Sequence, residues 1–598
     1  MRYVVVGGGV AGVCCAEELC RLCPQDSVAL VSADRVLKGV SVVARLSRTL
    51  EELQLVEKRL DELPYPNLRM VQGVAAGVDA AGKSLLLASG ERVPYDKLCI
   101  CAGARPKQLP AEAFVTSAAA AAACTKPGSS GSVQPLTQQQ QQQQQAGREE
   151  RQQAEQRGGW ELEQMRQRVL TIRDTDSVAR LAQRLASARH VAVVGNGGIA
   201  LELISGLKGI DVTWVLKHGH IGDAFFDLDA AQFLLEELQH QRRQQEGQGQ
   251  PAPAEQPAPQ QAGAQQAEAQ QHGAQPEAVE QQTEPHRRPT QQPETTQPEA
   301  ASSPGSVLGH AVGPRWVQQL PAGTAALSGS TGRVDVEYGC EVASVQLLRS
   351  QGGAAEQQTQ QQEREQHVGR PNGSDGLLSS GTPASPPAAE PRLLLTLTNG
   401  KQLEADLVLL AIGVTPALGW VPASMERSKD GGLRVNRHMQ CSDPVYAAGD
   451  SAACEWAASE SAHWFQMRLW SQARSMGIYA AHCMAGVQDQ TGADMAFELF
   501  THVTHFLGKK VVLLGLYNGQ RLQEEPAQDI AVYSRVTEGP ERTFVRVLLL
   551  RGRVQGAVLI GDTDLEETFE NLIMDQLDVG AYGPALLDPD FELDHVFD

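Results

Sequence analysis

The sequence contains no run of roughly eighteen apolar residues, so no segment is long enough to cross a bilayer as a helix. Cations are in the minority, with 51 Lys and Arg against 71 Asp and Glu and a formal net charge of −20. That balance argues against a nucleic-acid surface, which needs a basic face. A disulphide framework is missing: the eleven cysteines in 598 residues are an ordinary density and follow no disulphide-scaffold spacing. A strand is expected from Tyr3, so no leader is expected ahead of it, and the ending "DHVFD" matches no sorting signal. A reduced compartment is therefore expected, cytoplasm and nucleus. No histidine set stands with paired cysteines at ligand spacing, and "HVTH" (502–505) is isolated, so no metal site is expected. The acids of "DTDLEET" read instead as a helix start capped by Asp562 or Thr563.

Apolar periodicity is also missing from three stretches, 115–158, 243–306 and 350–391, which are rich in Gln, Pro, Ala and Glu. Such segments bury too little to offset the entropy of ordering and read as low-complexity insertions. What is left alternates strand and helix. "RYVVV", "SVALVS", "HVAVVG" and "DVTWVLK" have the unbroken apolar character of buried parallel strands. The expected fold class is α/β, with two Rossmann-like units. From about residue 492 the runs "KKVVLLGLYN", "TFVRVLLLRG" and "VQGAVLIGD" predict an antiparallel meander, followed by a helix, in a smaller C-terminal α+β domain.

Two motifs carry the chemistry. In "YVVVGGGVAGVCCAEEL", Gly7, Gly9 and Gly12 form GxGxxG between a strand and a helix. The first glycine permits the tight turn, the second lets backbone approach a pyrophosphate, and the third lets helix and strand pack. The anion would sit on the helix N-terminus. "HVAVVGNGGIALEL" repeats the frame with Gly195, Gly197 and Ala200, and Glu202 lies two residues further on. "CAGARP" (101–106) and "AIGVTP" (411–416) share a small-residue turn and a proline, and "VYAAGD" ends at Gly449–Asp450.

In this order these segments resemble the two-dinucleotide-binding-domain flavoproteins, the pyridine nucleotide-disulphide oxidoreductase superfamily. The resemblance covers nearly all of the chain outside the insertions. It implies an FAD-binding domain in two parts (1–114 and 412–491), an NAD(P)-binding domain (159–411) and a C-terminal domain (492–598). It implies FAD held by Gly7, Gly9, Gly12, Ala102, Gly103, Gly449 and Asp450, and NAD(P)H held by Gly195, Gly197, Ala200, Glu202 and Gly413. The second strand ends in Ser32 where an acid usually binds the adenosine ribose, so Ser32 is the expected, weaker ribose partner. Leu216 stands where an acid would favour NAD, and Lys217 follows, which permits NADPH without excluding NADH.

Disulphide reductases of this superfamily carry a cysteine pair, in one type on the helix after the second FAD-domain strand. Here "SADRVLKGVSVVARLSRTLEE" (32–52) has none. Lys38 is the polar residue expected nearest the flavin in that gap, where its charge would stabilise the reduced form. Trp470 and Gln472 are expected to approach it from another side. The expected activity is therefore NAD(P)H oxidation through flavin to a non-thiol acceptor such as oxygen. The alternative is an NAD(P)H-dependent partner guarding a client against oxidation. A subgroup of the family, resembled most in the C-terminal domain, implies the catalytic subunit of the tRNA ligase as that client.

One stretch competes with this reading. "VCCAEELCRLCP" puts four cysteines into positions 14–23 and ends in CxxC. In helical register Ala11, Cys15, Leu19 and Leu22 share the stripe that faces the sheet, and Cys20 points most outward. The cysteines read as helix packing, with a regulatory thiol at Cys20 or Cys23 as the competing possibility.

Overall fold

The computed structural model describes residues 1–59, 63–117, 119, 138–248, 332–348, 391–487, 496–539 and 541–588. The interiors of the low-complexity stretches lie outside them. Strand Arg2–Val6 is central in a six-stranded sheet. It pairs in parallel with Ser27–Ser32 on one side and Lys97–Ile100 on the other. Lys97–Ile100 then pairs with Val445–Ala447, so the two ends of the nucleotide-binding region complete one sheet. Four consecutive residues of Arg2–Val6 are buried, which is why the run carries no polar alternation. A second, all-parallel sheet takes the order Val169–Thr171, Leu407–Leu410, His190–Val194, Asp211–Val215, Val334–Glu337. No helix among the described residues is long and apolar enough to cross a membrane.

The boundary expected at residue 158 falls inside one continuous helix, Gln138–Arg166. Gln, Glu and Arg are good helix formers. Its C-terminal end is anchored by the buried Met165 and by Glu161, which accepts hydrogen bonds from the backbone and hydroxyl of Ser117 at 2.7 and 2.8 Å.

The C-terminal sheet departs from a simple meander. Lys509–Gly515 pairs with the last strand, Arg553–Ile560, and Ile530–Thr537 is displaced to the edge. Burial explains the order: the central strands are apolar on both faces, whereas Ile530–Thr537 alternates exposure. The helix that follows runs Glu566–Asp575 with Leu565 at its N-cap and no side-chain cap. Asp562, expected as a cap, instead accepts from Arg535 at 2.9 Å.

Where a redox helix would stand, the chain forms an antiparallel hairpin, Val36–Arg45 with Glu51–Arg59. β-Branched residues suit that pleated ribbon. Its tip enters the C-terminal domain: Leu50 is fully buried in the cluster formed by Val512, Val545 and Phe569.

Candidate active site

Strand Arg2–Val6 ends at Gly7, whose φ of 126° is closed to side-chain-bearing residues. A Cβ there would lie 2.0 Å from the carbonyl oxygen of Cys101, and one at Gly12 would lie 1.9 Å from that of Gly7. Strand end, turn and helix Val10–Leu22 are therefore packed backbone to backbone. Gly9 is the opposite case: nothing lies within 4 Å of its missing side chain, and as N-cap it supplies no side-chain acceptor. The first N–H groups of the helix are left open to an external anion.

The second turn repeats this construction. Gly195 has φ 125°, and its Cβ would meet the Ala411 carbonyl oxygen at 2.1 Å. Gly197 is an open N-cap to helix Gly198–Gly206, and Ala200 is fully buried behind it. The segments after Cys101 and Ala411 then pair with each other antiparallel, Ala104–Pro106 against Val414–Pro416.

Both turns open on one cleft of about 1240 Å³. Gly7, Gly9, Ser32, Lys38, Ala102, Gly103, Asp450 and Trp470 line its walls, together with Gly195, Gly197, Glu202, Lys217 and Gly413. Gly12, Ala200 and Gly449 stand behind the walls as packing positions; a Cβ on Gly449 would meet that of Ala11 at 2.7 Å.

Several wall residues are electrostatically prepared. Burial pushes the Asp450 carboxyl above its ordinary range, opposed by the Arg468 cation. Arg468 is itself held by Asp430 at 2.7 Å. Burial pushes the Lys38 ammonium down, opposed by Asp174 and Glu57. The Lys38 backbone N–H donates to Gly8 at 2.9 Å and its Nζ to the Arg173 carbonyl at 3.3 Å, so this residue touches both nucleotide-binding domains. Ser32 is buried and donates its hydroxyl to the Asp34 carbonyl at 2.9 Å, leaving only its acceptor lone pairs for a ribose.

Gln472 is not a wall residue. Its amide accepts from Met467 N at 2.7 Å and donates to Phe465 O at 2.9 Å, bracing the loop before helix Trp470–Ala485. Cys20, expected to point outward, is buried, because the helix is covered there by the segment carrying Tyr65.

Three contributors were not legible as site residues. Ser471, at the open N-terminus of helix Trp470–Ala485, lines the cleft with a buried hydroxyl that has no partner. Glu341 lies 3.3 Å from Lys217 on an exposed part of the wall. His502, from the C-terminal domain, lines the cleft and stacks on Phe225 with ring centroids 6.1 Å apart. Its Nδ1 is buried without a partner, and burial lowers the imidazole to about 4. The unfilled donors and acceptors at the two turns, Asp450 and Ser471 suit a dinucleotide's pyrophosphate and hydroxyls.

Comparison with known proteins agrees with this architecture. The family model for pyridine nucleotide-disulphide oxidoreductases matches residues 1–242 and 383–477. Pyridine nucleotide-disulfide oxidoreductase domain-containing protein 1 of Mus musculus is 33% identical over 607 residues, spanning 100% of this chain and 98% of that protein. The protein of the same name from Drosophila melanogaster is 29% identical, with 100% and 99% covered. Among solved structures, the water-forming NADH oxidase of Lactobacillus brevis superposes with a TM-score of 0.54 at 15% identity, covering 99% of this chain and 94% of that one. The ferredoxin reductase of Rhodopseudomonas palustris gives 0.53 at 15%, with 99% of each chain covered. The chain belongs to the pyridine nucleotide-disulphide oxidoreductase family, with the fold of two-domain FAD/NAD reductases.

Proposed function

We propose that the protein is an FAD-dependent NAD(P)H oxidoreductase that passes electrons to an acceptor other than a disulphide of its own chain, with oxygen as the simplest. The observation that carries this reading is the pair of similarly built glycine turns, Gly7 to Gly9 and Gly195 to Gly197, opening on one cleft. The acceptor class rests on the hairpin 36–59, which offers no thiol where a relay would stand. Cys101 and Cys340, which line the cleft, belong to different domains. The same fold is found in a water-forming NADH oxidase and a ferredoxin reductase.

When bound, the flavin supplies the chemistry, accepting a hydride from the nicotinamide and releasing electrons to the acceptor. The chain's part is binding, orientation and charge. The N–H groups at the starts of helices Val10–Leu22 and Gly198–Gly206 hold the two pyrophosphates. Asp450 accepts from the hydroxyls of the FAD chain, compensating a carboxylate that burial otherwise penalises. Lys38 and the N-terminus of Trp470–Ala485 stabilise negative charge developing in the cleft. Lys217 and Glu341 admit both coenzymes: the cation suits a 2′-phosphate and the carboxylate accepts from a 2′-hydroxyl.

An anaerobic absorbance spectrum tests the proposal. A flavin band should bleach on adding NADH or NADPH and return on admitting air. Protein that carries no flavin and takes up none from added FAD overturns it.

A further inference from the structure

Beneath the first glycine turn lies a group of thiols that the proposed reaction does not use. Cys99 and Cys101 are two apart at the end of strand Lys97–Ile100, so their side chains share a face. Their sulfurs are 3.5 Å apart, and the thiol of Cys15 in helix Val10–Leu22 interacts electrostatically with both. All three are buried, and Cys101 is the one that also lines the cleft. We infer that Cys99 and Cys101 are an oxidisable dithiol, closed to a disulphide by a hydroperoxide, and that this closure and occupancy of the first dinucleotide turn oppose each other. The second half of the inference rests on the FAD reading above.

The chemistry balances on two thiols and one peroxide. The Cys101 thiolate attacks the peroxide oxygen; an S–O bond forms, the O–O bond breaks, and an alcohol or water leaves. Cys99 sulfur then attacks Cys101 sulfur; the S–S bond forms, the S–O bond breaks, and water leaves with the remaining proton. Cys101 acts first because it is the one residue of the three that lines the cleft, and the neighbouring thiols of Cys15 and Cys99 favour its thiolate.

Closure is coupled to the turn by geometry. A disulphide is about 2.05 Å long, so the two sulfurs must approach by roughly 1.5 Å. Residues two apart on a strand have Cα atoms about 6.6 Å apart, near the upper limit for a bridge, so backbone must move as well. Cys101 lies just beyond the strand end, where its N–H still donates to Val6 at 2.8 Å and its carbonyl fills the space where Gly7 lacks a side chain. Its Cβ would lie 3.3 Å from a Cβ on Gly12. Movement of Cys101 therefore deforms the anion-holding turn, and a dinucleotide held there resists the movement.

The test uses full-length protein stripped of cofactor, treated with hydrogen peroxide, then alkylated, denatured and digested with trypsin. The peptide Leu98–Lys107 should lose two hydrogens and escape alkylation, and added FAD should slow this at least tenfold. Cys101→Ala should abolish it. Cys99→Ala should stop at a sulfenic acid that dimedone traps, and Cys101→Ser serves if the alanine variant misfolds. Full alkylation of the peptide after peroxide, or a bridge from Cys101 to Cys15, overturns the dithiol. Flavin that binds by absorbance yet gives no protection overturns the coupling. If no flavin binds while the peptide still oxidises, the FAD reading fails and the dithiol stands.

Discussion

Thr49 donates both its backbone N–H and its hydroxyl to one carboxylate oxygen of Glu570, at 2.9 and 2.6 Å, across 521 positions of sequence. Glu570 is buried at 2% exposure, so the hairpin tip supplies both partners of Oε1 in a carboxyl group that the C-terminal helix has taken out of water. Thr49→Val keeps the volume and deletes one of the two bonds, at a cost of about 1.5–3 kcal/mol. Amide exchange at residues 46–50 should accelerate about tenfold or more, with the sheet Thr501–Phe506 to Arg553–Ile560 less affected. Unchanged exchange would show that the apolar contact of Leu50 alone holds the tip.

The two glycine turns separate the two cofactors. Gly7→Ala forces a Cβ onto the Cys101 carbonyl, and the resulting overpacking of about 1–3 kcal/mol should weaken flavin retention by roughly 10–100-fold. Gly195→Ala should leave flavin absorbance intact and raise the NAD(P)H concentration needed for bleaching by a similar factor. Equal loss of flavin in both variants would contradict the assignment of one dinucleotide to each turn.

Lys38→Met retains the stem and removes the charge. Flavin content should be unchanged, while the rate of anaerobic bleaching falls by about tenfold or more. A bleaching rate equal to that of the unaltered protein would reduce Lys38 to a strut between Gly8 and Arg173.

His502 makes the C-terminal domain sensitive to acid. Its imidazole drops from an ordinary 6.5 to about 4 on burial, so the fold excludes a proton that the unfolded chain accepts. The stability contributed by neutral His502 should be complete above pH 6.5 and decline as pH falls toward 4, by on the order of 2 kcal/mol once the residue's partial exposure is discounted. His502→Phe keeps the stack on Phe225 and should flatten that decline, read by thermal unfolding across the same range.

Coenzyme choice should respond to Glu341. Glu341→Ala frees Lys217 and removes the acceptor for a ribose hydroxyl, shifting the ratio of kcat/KM toward NADPH by about 3–10-fold. Lys217→Ala should shift it the other way. A ratio insensitive to both would place the ribose elsewhere on the wall.

The turns were legible because their constraint is local: a strand must reverse into a helix within a few residues, and only glycine meets the backbone at Gly7 and Gly195. The unbroken apolar strands were legible for the same kind of reason. What escaped depended on distant partners. The edge position of Ile530–Thr537 follows from which strands are covered on both faces. Cys20 has the register of an outward position but is covered by residues some forty positions away. His502, Glu341 and Ser471 carry no motif, and only the assembled cleft brings them to the same wall as the glycines. The helix Gln138–Arg166 was hidden by composition, since its polarity resembles an insertion while its anchor, Glu161 on Ser117, is tertiary.

Because the glycine turn occurs twice, the chain contains its own reference for what sits beneath it. Cys101-Ala102-Gly103 and Ala411-Ile412-Gly413 occupy matching places, one with a sulfur and the other with a methyl group against the same kind of turn. Alanine is thus already a working tenant of that position. At that one position an oxidant would meet a sulfur beneath the first turn and a methyl group beneath the second, so the two halves of a duplicated design differ in what can injure them there.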